Sequence, residues 1–187
     1  MKRRQIMKSR LKLALMALSV AAVGATIPCG QPARAQVGQG STFIPLERDF
    51  SVLFPAPPQI DGHAPTSDDD SGFRTYLVQD QYGSYLVRID QYPKSIPVPD
   101  PNPRAYRLLL RAHAVQSSSR LISVTEVKVG GLAALQGDFV SDTGGAEQML
   151  VLMVGHRVYQ VSRIVRSDAP AAAAPDPFLE SFRIAAR

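Results

Sequence analysis

The sequence predicts an α+β fold: a mostly antiparallel sheet of about six to seven strands, with a crossover helix near 103–116 and a C-terminal helix near 177–183. Three observations carry that expectation. Several short segments alternate apolar and polar residues with period two. The intervals between them are brief and rich in turn-forming residues. Two further segments have helical spacing and open on a proline, as helices do. Strands and helices mixed in this way pack as a layered sandwich.

The first strand is "FSVLF", where Phe50, Val52 and Phe54 share one face. Pro55, Pro57 and Pro58 follow it and end it, since proline has no N–H to give to a ladder. A polyproline ligand for a partner's aromatic groove is the alternative for this stretch, but such ligands sit in exposed, disordered segments and this strand is patterned for a core. "GFRTYLVQ" and "GSYLVRIDQY" are joined by turn residues and read as a hairpin. In its second strand Tyr85, Val87 and Ile89 face one way, with Arg88 and Asp90 facing the other. "LISVTEVKV", "LAALQGDFV", "AEQMLVLMV" and "RVYQVSRIV" are four more strands, punctuated by Gly130-Gly131, by Ser141–Gly145 and by Gly155-His156. Such short connections imply antiparallel neighbours. "MLVLMV" is apolar on both faces and implies a central strand covered on both sides.

The crossover helix, "NPRAYRLLLRAHAVQ", has Asn102 as N-cap and Pro103 at its first position, where a missing N–H costs nothing. Helical projection groups Ala105, Tyr106, Leu108, Leu109 and Ala112 into an apolar face, with Arg104, Arg107 and Arg111 opposite. Asp176 and Pro177 open the C-terminal helix in the same way, and Phe178 and Phe182, four apart, can pack on the sheet together. Prolines 93, 97, 99, 101 and 103 make a stiff, extended connection into the crossover helix, and Pro175 stops any turn within "DAPAAAAP".

The chain organises into a signal peptide over 1–35, a flexible lead-in over 36–46 and one sandwich domain over 47–187. The signal has a basic start, "MKRRQIMKSRLK", an apolar run from Leu13 to Ile27, and small residues at Ala33 and Ala35, which place cleavage between Ala35 and Gln36. A membrane anchor needs roughly 20 strongly apolar residues, which the run lacks. The mature chain is thus expected to have no transmembrane segment and to be periplasmic or secreted. "RRQIMK" resembles a twin-arginine signal, and an ordinary basic start is the other reading. Cys29 follows Ile27-Pro28, unlike a lipoprotein cysteine.

The whole chain has 21 basic and 16 acidic residues, a net of +5. Seven of the basic residues and none of the acidic ones lie before Gln36, so the mature chain carries fourteen against sixteen, a net of −2. The basic character belongs to the leader, and nothing points to nucleic acid. The one cysteine leaves with the leader too, which excludes disulfide and thiol chemistry from the mature chain.

No catalytic or cofactor constellation is present in the sequence. His63, His113 and His156 fall in a loop, the helix and a strand start, without metal-ligand spacing; His113, at the margin of the helix face, reads as a satisfied half-buried histidine. Asp68–Asp70 lack the alternating ligands and distant glutamate of a calcium loop and read as solvated. Asp142, in "SDTGG", superficially matches the loop of aspartic proteases, but a tight hairpin explains the motif. No G-x-S-x-G elbow and no glycine-rich phosphate loop occurs.

"FSVLFPAPP", "VGGLAALQGDF", "GHRVYQV" and "FLESFRI", in that order along nearly the whole mature chain, resemble small exported bacterial proteins with the PsbP-like α+β sandwich. The resemblance implies a binding, assembly or accessory role and not an enzyme. It carries over no functional residue. The expectation is therefore an exported, non-enzymatic protein that binds a protein partner, with Arg104, Arg107 and Arg111 as the candidate surface. The alternatives are a carrier for a small apolar ligand, in a pocket between helix and sheet lined by Tyr106, Leu109 and Phe182, and an unrecognised hydrolase.

Overall fold

The computed structural model describes residues 40–97, 102–169 and 177–185. The expected leader, its expected cleavage site at Ala35 and Gln36, Pro99, Pro101, Asp176 and most of "DAPAAAAP" lie outside the described residues.

In chain order the elements are β1 (Ser41–Phe43), β2 (Phe50–Phe54), β3 (Gln59–His63), β4 (Gly72–Gln79), β5 (Gly83–Gln91), α1 (Pro103–Gln116), β6 (Ser119–Val129), β7 (Leu132–Ser141), β8 (Ala146–Val154), β9 (Arg157–Val165), α2 (Phe178–Ser181) and β10 (Arg183–Ile184). Seven strands form one sheet in the order β3-β4-β5-β9-β8-β7-β6, and β1-β2-β10 form a second, three-stranded one. Every pairing is antiparallel. The fold is the expected α+β sandwich.

Side chains alternate across the large sheet, so the sheet feeds two cores, one on each face. On one face Tyr85, Val87, Ile89, Leu150, Leu152, Tyr159 and Val161 meet Phe50, Val52 and Phe54 of β2 and Phe178 and Phe182 at the C-terminus. The opposite face sends Leu135, Phe139, Met149, Val151, Met153 and Val158 against Tyr106 and Leu110 of α1. The run Met149–Met153 is buried throughout, as its two-sided apolar pattern requires. Helix α1 packs on β6, β7 and β8. Beyond it that face turns polar, and Arg88 bonds Asp90 at 2.7 Å while its guanidinium lies 4.9 Å over the Phe73 ring.

Helix α1 has the predicted bounds and cap, with the Asn102 side chain accepting from the Ala105 N–H at 3.0 Å. Its buried face differs from the projected one. Tyr106 and Leu110 are fully buried, whereas Ala112 is exposed and Leu108 is 66 % exposed. The helix is apolar around most of its circumference, so counting alone does not select a stripe. Two tertiary contacts do. The Tyr106 hydroxyl accepts from the Met153 N–H at 3.0 Å, beyond the last β7–β8 pair at Leu135 and Val151. Gly137 of β7 leaves room for Leu110, since a Cβ there would lie 3.1 Å from the Leu110 side chain. A bulge in β6 then lets Leu121 and Val124 both reach this core. The register shifts between Leu121 and Ser123, and Ile122 is the extra residue.

The chain end also differs from expectation. Phe178 and Phe182 are both buried, but the helix is four residues long, Pro177 is its cap rather than its first turn, and Arg183–Ile184 pair with Phe50–Ser51. Pairing to β2 wins over continued helix here. Ser181 ties the two together, accepting from the Leu53 N–H at 2.8 Å and donating to the Phe178 carbonyl at 2.7 Å. Two further strands escaped sequence reading. β1 falls inside the lead-in, and β3 is an edge strand exposed along its whole length.

Candidate functional site

Arg104, Arg107 and Arg111 are all exposed on α1, as the arginine surface requires. Arg107 leans to Glu126 of β6 at 3.6 Å. The rotation of the helix places apolar residues among them. Leu108 and Val115, 66 % and 82 % exposed, share the solvent side with Arg104 and Arg111 at positions 104, 108, 111 and 115, a spacing of four, three and four. Those steps keep residues on one side of a helix. The outcome is a mixed cationic and aliphatic stripe, where pattern reading expected a purely basic one.

The histidines are apart and separately engaged. His113 Nε2 lies 2.9 Å from Glu147 Oε2, and its ring meets Phe139 edge-on at 5.2 Å, the satisfied half-buried state expected of it. Nδ1 of His156 is 3.1 Å from the Pro93 carbonyl, and His63 packs on Phe73. Among the described residues no group of three or more His, Cys, Asp or Glu could hold a metal ion. In the acidic loop Asp70 accepts from the Thr66 and Ser71 N–H groups, which hold its carboxyl below the usual range, Thr66 above all, and Asp68 pairs with Lys94 at 2.9 Å. Asp142 is exposed in a tight turn closed by Gly144 N–H to the Ser141 carbonyl at 2.9 Å.

The expected apolar pocket is absent where it was placed. Tyr106 and Leu109 lie with the α1 core, and Phe182 lies across the sheet with Phe50 and Tyr159, at ring separations of 5.6 and 6.1 Å. Strand alternation divides the three between two cores, so they line no common space.

A cleft with both charged and apolar lining sits on the β2 side of the sheet. It measures about 270 Å³ and is lined by Glu47 and Asp49 before β2, His63–Pro65 after β3, Gly72–Arg74 and Tyr76 of β4, Ile89 and Gln91 of β5, and Arg157 of β9. Sheet alternation supplies its floor, because Gly72, Gln91 and Arg157 stand in one cross-strand row and Arg74, Ile89 and Tyr159 in the next. Asp49 is the buried charge of this site. Its Oδ2 accepts from Arg157 Nη1 at 2.8 Å and from the Tyr159 hydroxyl at 3.1 Å, while Arg157 Nε donates to Gln91 Oε1 at 3.1 Å. Asp49 Oδ1 is buried without a partner. Burial, and then the Asp49 charge, push the Tyr159 phenol up to about 12, so it stays a donor. At the rim Arg74 pairs with Glu47. Sequence reading missed this site, since its members are brought together only by sheet register.

Among the described residues no helix is long and apolar enough to cross a membrane. Neither a known protein-family model nor a curated protein matches the sequence. The fold is PsbP-like. It matches the solution structure of cyanobacterial PsbP (CyanoP) from Synechocystis sp. PCC 6803 with a TM-score of 0.54, at 10 % identity, over 83 % of this chain and 98 % of that one. A crystal structure from Bacteroides thetaiotaomicron VPI-5482 matches with a TM-score of 0.44, at 16 % identity, over 80 % of this chain and 50 % of that one.

Proposed function

We propose that this PsbP-like chain is an exported, non-enzymatic accessory protein that docks a protein partner on the solvent side of α1. One observation carries the reading: Leu108 and Val115, two large aliphatic side chains left in water, alternate with Arg104 and Arg111. Interface cores gather apolar side chains and arginine and are depleted in lysine and acidic residues. The complementary partner surface is an apolar strip bordered by carboxylates. The non-enzymatic part rests on how the described ionisable groups are engaged: His113 with Glu147, His156 with Pro93 and Asp49 with Arg157 each serve a structural contact. Export rests on the leader pattern of residues 1–35, and an intact mass beginning at Gln36 is the expected result for protein recovered outside the cytoplasm.

The test uses the full chain in the cells that make it. A photo-crosslinking residue in place of Leu108 is expected to give one discrete adduct. The same residue in place of Thr75 serves as the control. Replacing Arg104, Arg107 and Arg111 together by alanine is expected to abolish that adduct while leaving the far-UV circular dichroism unchanged. An adduct indifferent to the arginines, or none at Leu108, would falsify the assignment of this face.

A further inference from the structure

We infer that the cleft beside Asp49 binds a small zwitterion bearing a primary ammonium and a carboxylate, the chemistry of a free α-amino acid. Its charges are two and two. Glu47 pairs with Arg74, and Asp49 pairs with Arg157, so the site as a whole is neutral and offers both signs at short range. A simple anion or cation would leave one sign unanswered. A ligand with separated opposite charges answers both.

Spare hydrogen-bonding capacity fits the same ligand. Asp49 spends two bonds on Oδ2 and none on Oδ1, although its side chain is only 6 % exposed. A buried acceptor left unmade costs about 1–3 kcal/mol, and native structures rarely keep one without a reason. Guanidinium has five N–H donors, and Arg157 gives one to Gln91 and one to Asp49, which leaves capacity for a carboxylate. Oδ1 is out of contact with solvent. An ammonium therefore reaches it only by displacing the Arg157 side chain, which is 26 % exposed, from its place against Asp49.

The cleft's shape limits the ligand. Drug-sized ligands occupy pockets of about 300–1,000 Å³, and this one, at about 270 Å³, admits a molecule of a few heavy atoms. Pro65 and Ile89 supply an apolar wall for a short side chain. Gly72 is part of the construction, because a Cβ there would sit 2.6 Å from Pro65 Cδ and 2.8 Å from the His63 carbonyl oxygen, and the loop could not close on the sheet.

The probe is L-leucine, titrated into the full chain and followed by amide resonances, at about 10 mM to saturate a site of roughly millimolar affinity. Resonances of Gly72, Arg74, Gln91 and Arg157 are expected to move with L-leucine and to stay with N-acetyl-L-leucine and L-leucine methyl ester. Asp49→Asn is expected to weaken the response about tenfold, equivalent to about 1.4 kcal/mol. Glu47→Gln, at a half-exposed position that tolerates change, is the second variant should Asp49→Asn fold poorly. No movement with L-leucine, or equal movement with a blocked form, overturns the inference. Leu108→Ser lies across the sheet and leaves the titration unchanged, so the result is independent of the α1 docking face.

Discussion

Replacing Arg157 by methionine isolates the buried charge at the head of β2. Methionine keeps most of the side-chain length and removes both bonds that Arg157 makes, to Asp49 Oδ2 and to Gln91 Oε1. Gln91 is half-buried and can turn to water. Asp49 is 7 % exposed, already lacks a partner on Oδ1, and is left with the Tyr159 hydroxyl alone. Breaking one side of a buried pair costs about 3–5 kcal/mol. Arg157 is itself one-quarter exposed, so water partly replaces it, and the lower end, about 3 kcal/mol, is expected. In a chain of this size that lowers Tm by about 6–12 °C. Adding Asp49→Asn removes the stranded charge and is expected to restore at least about 1.5 kcal/mol. The assay is a double-mutant cycle by urea unfolding at neutral pH. A loss within about 0.5 kcal/mol for Arg157→Met, or strictly additive single losses, would mean that the pair is not a buried ionic contact.

Two other outcomes test the packing. Leu110→Ala is expected to cost about 2–5 kcal/mol by opening a cavity under α1, whereas Leu108→Ala should stay within about 0.5 kcal/mol; the reverse order, read by thermal unfolding, would restore the face projected from sequence. Tyr159 gives a pH signature. Burial raises its folded pKa from 10.0 to about 12, so its contribution is fully present below pH 10 and is lost as pH rises toward 12, at most about 3 kcal/mol. In a tyrosinate absorbance titration Tyr159→Phe is expected to remove part of the highest-pH step; an unchanged titration would place the phenol in water.

The elements that pattern made legible are those whose faces differ. β2, β4, β5 and β7–β9 alternate sharply or are apolar throughout, and the glycine turns at Gly130-Gly131 and Gly155 have positive φ values, from 57° to 86°, that glycine adopts without strain. β3 was invisible because Gln59–His63 contains one large apolar residue, Ile60, and is exposed along its length. Only its register with β4 makes it a strand. Arg183 and Ile184 are a strand solely because β2 lies beside them. The arginines of α1 were readable, but Leu108 beside them was assigned to the core, because periodicity gives a helix its stripe without saying which way it faces. The cleft left no local trace at all. Asp49 bonds residues 108 and 110 positions away, and Arg157 reaches back 66 to Gln91.

β8 is a party wall. Leu150 and Leu152 belong to the aromatic chamber under β2, and Met149, Val151 and Met153 belong to the chamber under α1. The side chains of the two chambers form separate clusters, and substitutions in them add where they lie more than about 7–10 Å apart. The cleft opens off the first chamber and the arginine–aliphatic stripe stands over the second. Substitutions at the outer edge of one chamber therefore leave the geometry of the other surface in place.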